Sequence, residues 1–228
     1  MQKWVPKSPQ SLRGSDWKHL NFWRMHYPKV KEFLSNETRT VVPPEQIRFK
    51  AFELTKKKDV RIVFLAPRPY QRPGVANGLC LSTRAGNKRL PGPLHTLFAE
   101  YQRDLGYGKP VHGDLSGWAR RGVLLLNCAL TADTLADTRH QYIGWEKLTY
   151  EIIRRFSNRG NTFFVFFGKE ASRYEGAVDL ERNALMVLAF PGNIRGRAGL
   201  EDVYGSGLFS ECAAYLGEDK SFWRLPGT

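Results

Sequence analysis

"GVLLLNCAL", residues 122–130, is an apolar run broken only by the amide of Asn127. A strand with one wet face alternates apolar and polar residues, whereas a run of this kind needs cover on both faces. "DVRIVFLAP" (59–67), "TFFVFFG" (162–168) and "ALMVLAF" (184–190) have the same character. Between these runs, amphipathic spacing predicts helices over about 94–104, 145–157 and 169–175, with a last one near 206–217. Strands alternating with helices give a parallel sheet between helical layers. The expected fold is α/β, a three-layer α/β/α sandwich around a central four-stranded parallel sheet.

The chain has 228 residues, no internal repeat and no low-complexity segment, so one domain over 1–228 is expected. Residues 1–27 read as a loosely ordered, basic N-terminal extension, without the apolar stretch of a secretory signal. No apolar run is long enough to span a bilayer, which leaves a cytoplasmic or nucleoid-associated monomer as the expectation. Cys80, Cys128 and Cys212 are widely spaced, which fits neither a disulfide framework nor a metal site. No metal or organic cofactor is expected. Lys and Arg number 35 against 22 acids, a formal charge of +13. Such a balance attracts polyanions, and DNA is the expected partner, although charge by itself also serves solubility.

In a parallel sheet of this type, ligands bind at the carboxyl ends of the strands. Those exits are "APRPYQRPG", "NCALTADTLADTRH", "GKEAS" and "FPGNIRGRAG". The first is stiffened by prolines around Arg68 and Tyr70. The second places Asn127, a donor and an acceptor side by side, at the end of a buried strand. The third offers Lys169 at a helix start, a position suited to anions. The fourth sets Ile194 between glycines and arginines, as an apolar wedge flanked by phosphate contacts would be. Each also has an ordinary interpretation as a turn, cap or solvated side chain.

The segments from "VVPPEQIRFKAFELT" onward, above all "HGDLSGWARRGVLLLNCALT" (112–131) and "GWEKLT" (144–149), resemble family 1 uracil-DNA glycosylases. Where that family reads GQDPYHGPGQAHGLCFS, this chain reads "APRPYQRPGVANGLCLS". The resemblance places Arg68 at the family's water-activating aspartate, Pro67 at its glutamine and Gln71 at its histidine. Tyr70 matches the tyrosine that blocks a methyl at C5 of the pyrimidine, and Leu81 stands for the phenylalanine that stacks on the flipped base. Asn127 matches the asparagine that reads uracil. In the last loop, HPSPLS becomes "FPGNIR": Phe190 replaces the histidine that donates to the uracil oxygen, and Ile194 replaces the wedge leucine. Arg195 and Arg197 are added. Two phosphate-pinching serines correspond to Pro93 and Lys169.

Cleavage of a pyrimidine glycosidic bond develops an oxocarbenium-like sugar and an anionic base. A carboxylate beneath the sugar and a donor at the base oxygen are each worth about two or more powers of ten in rate. With both absent and a cation at Arg68, efficient uracil excision is not expected. Two alternatives stay open. One is a DNA glycosylase refitted for a modified or non-standard base, such as those of phage DNA, with a role in defence or repair. Its replacement acid would come from Asp133, Asp137 or His140, which otherwise serve as caps and surface residues. The other is a catalytically silent relative that acts as a DNA or base reader, a scaffold or an inhibitor decoy.

Overall fold

The computed structural model describes residues 9–87, 89–135, 139–192 and 199–226. In chain order the elements are α1 (Phe22–Met25), α2 (Tyr27–Asn36), β1 (Val41–Val42), α3 (Lys50–Leu54), β2 (Ile62–Ala66), α4 (Gly92–Leu105) and α5 (Ser116–Arg120). They continue with β3 (Val123–Asn127), β4 (Ala132–Asp133), α6 (Trp145–Arg159), β5 (Phe163–Phe167), α7 (Lys169–Ser172), β6 (Ala184–Leu188) and α8 (Leu208–Leu216). The four apolar runs form one parallel sheet in the order β3-β2-β5-β6. Every residue of β2, β3 and β5 is buried, as their unbroken apolar character requires. The fold is the α/β sheet with flanking helices that the sequence predicts.

Register matters for the site. Ala66 pairs with Asn127, and Phe167 pairs with Leu188. All four strands therefore deliver their next residues to the same edge of the sheet. At the opposite edge, Gly122 turns the chain into β3 with φ of +96°, and a Cβ there would lie 2.2 Å from the Asp59 carbonyl oxygen. Its own carbonyl accepts the Arg61 amide at 2.9 Å, which aligns β2 with β3.

The expected looseness of residues 1–27 does not hold for residues 9–27. Leu12, Trp17, Leu20, Phe22, Trp23 and Tyr27 are buried in the core. The reason is aromatic packing plus hydrogen bonding: Trp17 Nε1 donates to the Thr55 carbonyl at 2.8 Å, and Trp23 meets Phe49 edge-on at 5.7 Å. The Glu151 carboxylate accepts the Asn21 and Phe22 amides at 2.9 and 2.8 Å, fastening α1 to α6.

A second fastening joins α4 to the chain before α8. Glu100 is fully buried; its two oxygens accept the Gly205 and Gly207 amides, both at 2.7 Å, and the fork of Arg103 at 2.8 and 2.7 Å. Asp104 accepts the Phe209 and Ser210 amides at the start of α8. Carboxylates at these orphan amides satisfy donors that the helix itself leaves open. No helix among the described residues is long and apolar enough to cross a membrane.

Candidate functional site

The loop after β2 carries Pro67, Arg68, Tyr70 and Gln71, and the structure ties it to its surroundings at several points. The Cys128 amide donates to the Ala66 carbonyl at 2.7 Å, and the Ala129 amide to the Pro67 carbonyl at 3.2 Å. These bonds extend the β2–β3 ladder past Asn127 and hold the first two exits side by side. Tyr70 donates its hydroxyl proton to the Leu81 carbonyl at 3.1 Å. Burial, and then the nearby Cys80, push the Tyr70 phenol well above its ordinary range, so it stays a neutral donor.

Leu81 has φ of +56°, a left-handed conformation unusual for a branched side chain. Its neighbours hold it there. Asn77 Nδ2 lies 2.9 Å from Ser82 Oγ and 2.8 Å from the Thr83 carbonyl, and Ser82 Oγ accepts the Leu115 amide at 2.9 Å. Gly78 completes the turn, since a Cβ at that position would sit 1.9 Å from the Ile47 carbonyl oxygen. Tyr70, Leu81 and the β2 exit therefore form one pinned unit.

Asn127 is 3% exposed, and its Oδ1 has no hydrogen-bond partner. A buried amide oxygen left unsatisfied costs about 1–3 kcal/mol, which a ligand donor would relieve. Arg68 is half-buried one residue beyond Pro67, and no hydrogen bond or ion pair to it occurs among the described residues. Phe190 follows β6; a Cβ on Gly168 would lie 3.1 Å from the Phe190 Cβ, so the third and fourth exits also touch. Lys169 is exposed at the first position of the short helix α7. Gly192 packs on Pro93, with a hypothetical Cβ 3.2 Å from the Pro93 nitrogen. The fourth loop thus rests on the start of α4.

Of the three suggested replacement acids or bases, Asp133 and His140 have engaged side chains. Asp133 is fully buried; its Oδ2 lies 2.8 Å from Arg39 Nη1, and its Oδ1 accepts the Leu135 amide at 2.9 Å. His140 Nδ1 is 2.9 Å from Thr131 Oγ1, which also accepts Trp145 Nε1 at 2.8 Å. His140 Nε2 lies 3.6 Å from Glu37 Oε2. Glu37, Asp133 and His140 bring their ligand-type atoms within 4.8 Å of one another, and the Arg39 guanidinium supplies positive charge to that cluster. Asp133 meets the first exit through its backbone, whose carbonyl accepts Gln71 Nε2 at 3.2 Å. Asp137, Ile194, Arg195 and Arg197 lie outside the described residues.

Sequence reasoning missed Glu37 and Arg39, and with them the antiparallel pairing of β1 with β4, Val41 opposite Asp133. It also missed a cavity of about 280 Å³ behind Pro67, lined by Cys128, Glu146, Glu170, Arg173 and Tyr174. Gln141 borders that cavity, and its Nε2 is buried without a partner. Burial and the neighbouring Glu170 raise the Cys128 thiol well above its ordinary range.

No protein-family model matches the chain. Among proteins of known name, it is 35% identical over 227 residues to the uracil-DNA glycosylase of Lacticaseibacillus casei, covering 96% of this chain and 98% of that one. The corresponding figures for Bacillus subtilis uracil-DNA glycosylase are 35% over 212 residues, 91% and 92%. The chain belongs to the uracil-DNA glycosylase family. Solved structures agree on the fold: mimivirus uracil-DNA glycosylase superposes with a TM-score of 0.77 at 17% identity, covering 90% of this chain and 82% of that one. A variant of the mimivirus protein in complex with UGI gives a TM-score of 0.81 at 17% identity, over 96% and 89%. Arg68 and Phe190 both follow strands that end at the shared edge of the sheet.

Proposed function

We propose that the chain is a DNA glycosylase that receives an everted base at the strand exits and hydrolyses its glycosidic bond, with a base other than uracil as its substrate. The observation that carries this is Asn127: a buried amide whose Oδ1 has no partner, at the exit between β2 and β3. Family members 35% identical over nearly the whole chain support the hydrolase class. In the reaction the C1′–N bond breaks with its electron pair going to the base, water supplies the new C1′–O bond, and the water proton is released. Arg68 alters the balance of that step. A guanidinium opposes positive charge on the sugar and favours negative charge on the leaving base. Catalysis built on it favours bases that leave more readily than uracil or carry an acceptor-rich substituent. The modified pyrimidines of phage DNA are the first class to test.

The ion pair between Arg39 and Asp133 favours a second function, that of a silent reader which binds the everted base without cleaving it. One panel separates the two. Single strands and duplexes carrying uracil, hydroxymethylated and glucosylated pyrimidines or deaminated purines are incubated with the protein, and abasic sites are revealed by alkaline cleavage. Product from a non-uracil base that disappears in Asn127→Ala supports the enzyme. DNA binding without product from any substrate supports the reader, and rapid release of uracil overturns the altered specificity.

A further inference from the structure

A second charged surface lies away from the strand exits, on the outer face of α6. Lys147, Tyr150, Arg154 and Asn158 fall on one stripe of that helix and are exposed, with Arg155 beside them. Together with His26 and Asn21 from the chain around α1 they line an open groove of about 660 Å³. Its single acid, Glu151, is committed. Both of its oxygens accept the Asn21 and Phe22 amides, and Arg155 lies 3.7 Å from it. Lys147 and Arg154 have no ion-pair partner among the described residues. The groove therefore shows two unpaired cations to solvent with Tyr150, 54% exposed, between them.

We propose that this groove binds single-stranded nucleic acid flanking the strand-exit site. Lys147 and Arg154 are seven positions apart on the helix, about 10 Å along its axis. A phosphate at each leaves a base between them to lie on Tyr150, the combination of cations and an aromatic face that single strands use. The direction of the helix supports a continuous path. α6 follows the β3 exit and precedes β5, so Lys147 lies near the edge that carries Asn127, and Arg154 lies farther down the flank. Duplex DNA cannot offer its stacked bases to Tyr150, so the groove discriminates for unpaired strand. This surface is independent of which base, if any, is excised.

Fluorescence anisotropy with oligothymidylates tests it, using short ones of about 6 nucleotides and long ones of about 20. The double variant Lys147→Gln/Arg154→Gln should weaken binding of the long strand about tenfold and reduce the salt slope by about 1.4, while the short strand is unaffected. Tyr150→Ala should weaken the long strand at least about fivefold and leave a duplex unchanged. The charge-keeping pair Lys147→Arg/Arg154→Lys should retain the wild-type slope, which separates charge from shape. An unchanged slope in the glutamine variant, equal losses on duplex, or a silent Tyr150→Ala would each overturn the proposal. Asn127→Ala should keep the full length dependence, so failure of base recognition and failure of this groove give different results.

Discussion

The proposed function turns on two side chains, Arg68 and Phe190. A carboxylate under the sugar is worth about two powers of ten or more, so Arg68→Asp should raise uracil release from single-stranded DNA by at least about tenfold. Arg68→Asp/Phe190→His should raise it further, because the histidine adds a donor where charge builds on the base. Gel analysis of abasic-site formation reads both, and a flat response in the double variant would mean that Arg68 does not occupy the aspartate's place. Asp133 makes a different prediction. Its carboxylate is fully buried against Arg39, whose side chain keeps 33% of its area in water. Removing one partner of a fully buried pair costs about 3–5 kcal/mol, and partial solvation of Arg39 reduces that to about 2 kcal/mol for Arg39→Ala. Urea unfolding measures it. The change should also loosen Gln71, which bonds to the Asp133 carbonyl, and so weaken DNA binding with the fold intact.

Among the elements, those with a long period were legible in advance and those fixed by partners were not. The strand run at 59–67 became Ile62–Ala66, and the helix expected over 145–157 became Trp145–Arg159. Continuous apolar runs and a 3.6-residue stripe state their own environment. β1 and β4 are two residues each, and Val41–Val42 has no periodicity that could show its pairing with Ala132–Asp133. Asn127 was visible because an amide ending a buried strand is out of place locally; its partnerless Oδ1 was not visible, since that depends on what the other exits leave open. Glu100 belongs with the hidden features, a helix residue indistinguishable in sequence from a solvated acid. It binds the Gly205 and Gly207 amides and Arg103 at once. Glu100→Ala removes the acceptor of those amides and of a guanidinium that stays largely in water, and should cost about 1–3 kcal/mol. The loss should appear as a lower urea midpoint, with increased hydrogen exchange concentrated in 205–210.

Across the whole molecule, the basic surplus sits on a well-packed sheet core, so binding and stability draw on different parts of the chain. The surplus of 35 basic over 22 acidic residues acts in solution, where salt screens it. The core acts by excluding water, and its thiols report on that exclusion. Cys80, Cys128 and Cys212 are all buried and free. Burial raises each thiol above its ordinary range, with Cys128, Glu170 and Asp104 adding to the effect at Cys80, Cys128 and Cys212 respectively. A group whose folded pKa is raised favours the fold below its unfolded pKa, and that contribution fades as pH rises through the folded value. At neutral pH the thiols are therefore protonated and out of reach, and since the thiolate is the nucleophile, the native protein should resist a disulfide-exchange reagent. Labelling should proceed at the rate of global opening, with all three thiols reacting together and faster in urea. As pH climbs above the unfolded thiol range, near 8.5, stability should fall and labelling accelerate beyond the reagent's own pH dependence. Rapid labelling of one thiol in the native state at pH 7 would show that its part of the core opens separately from the sheet.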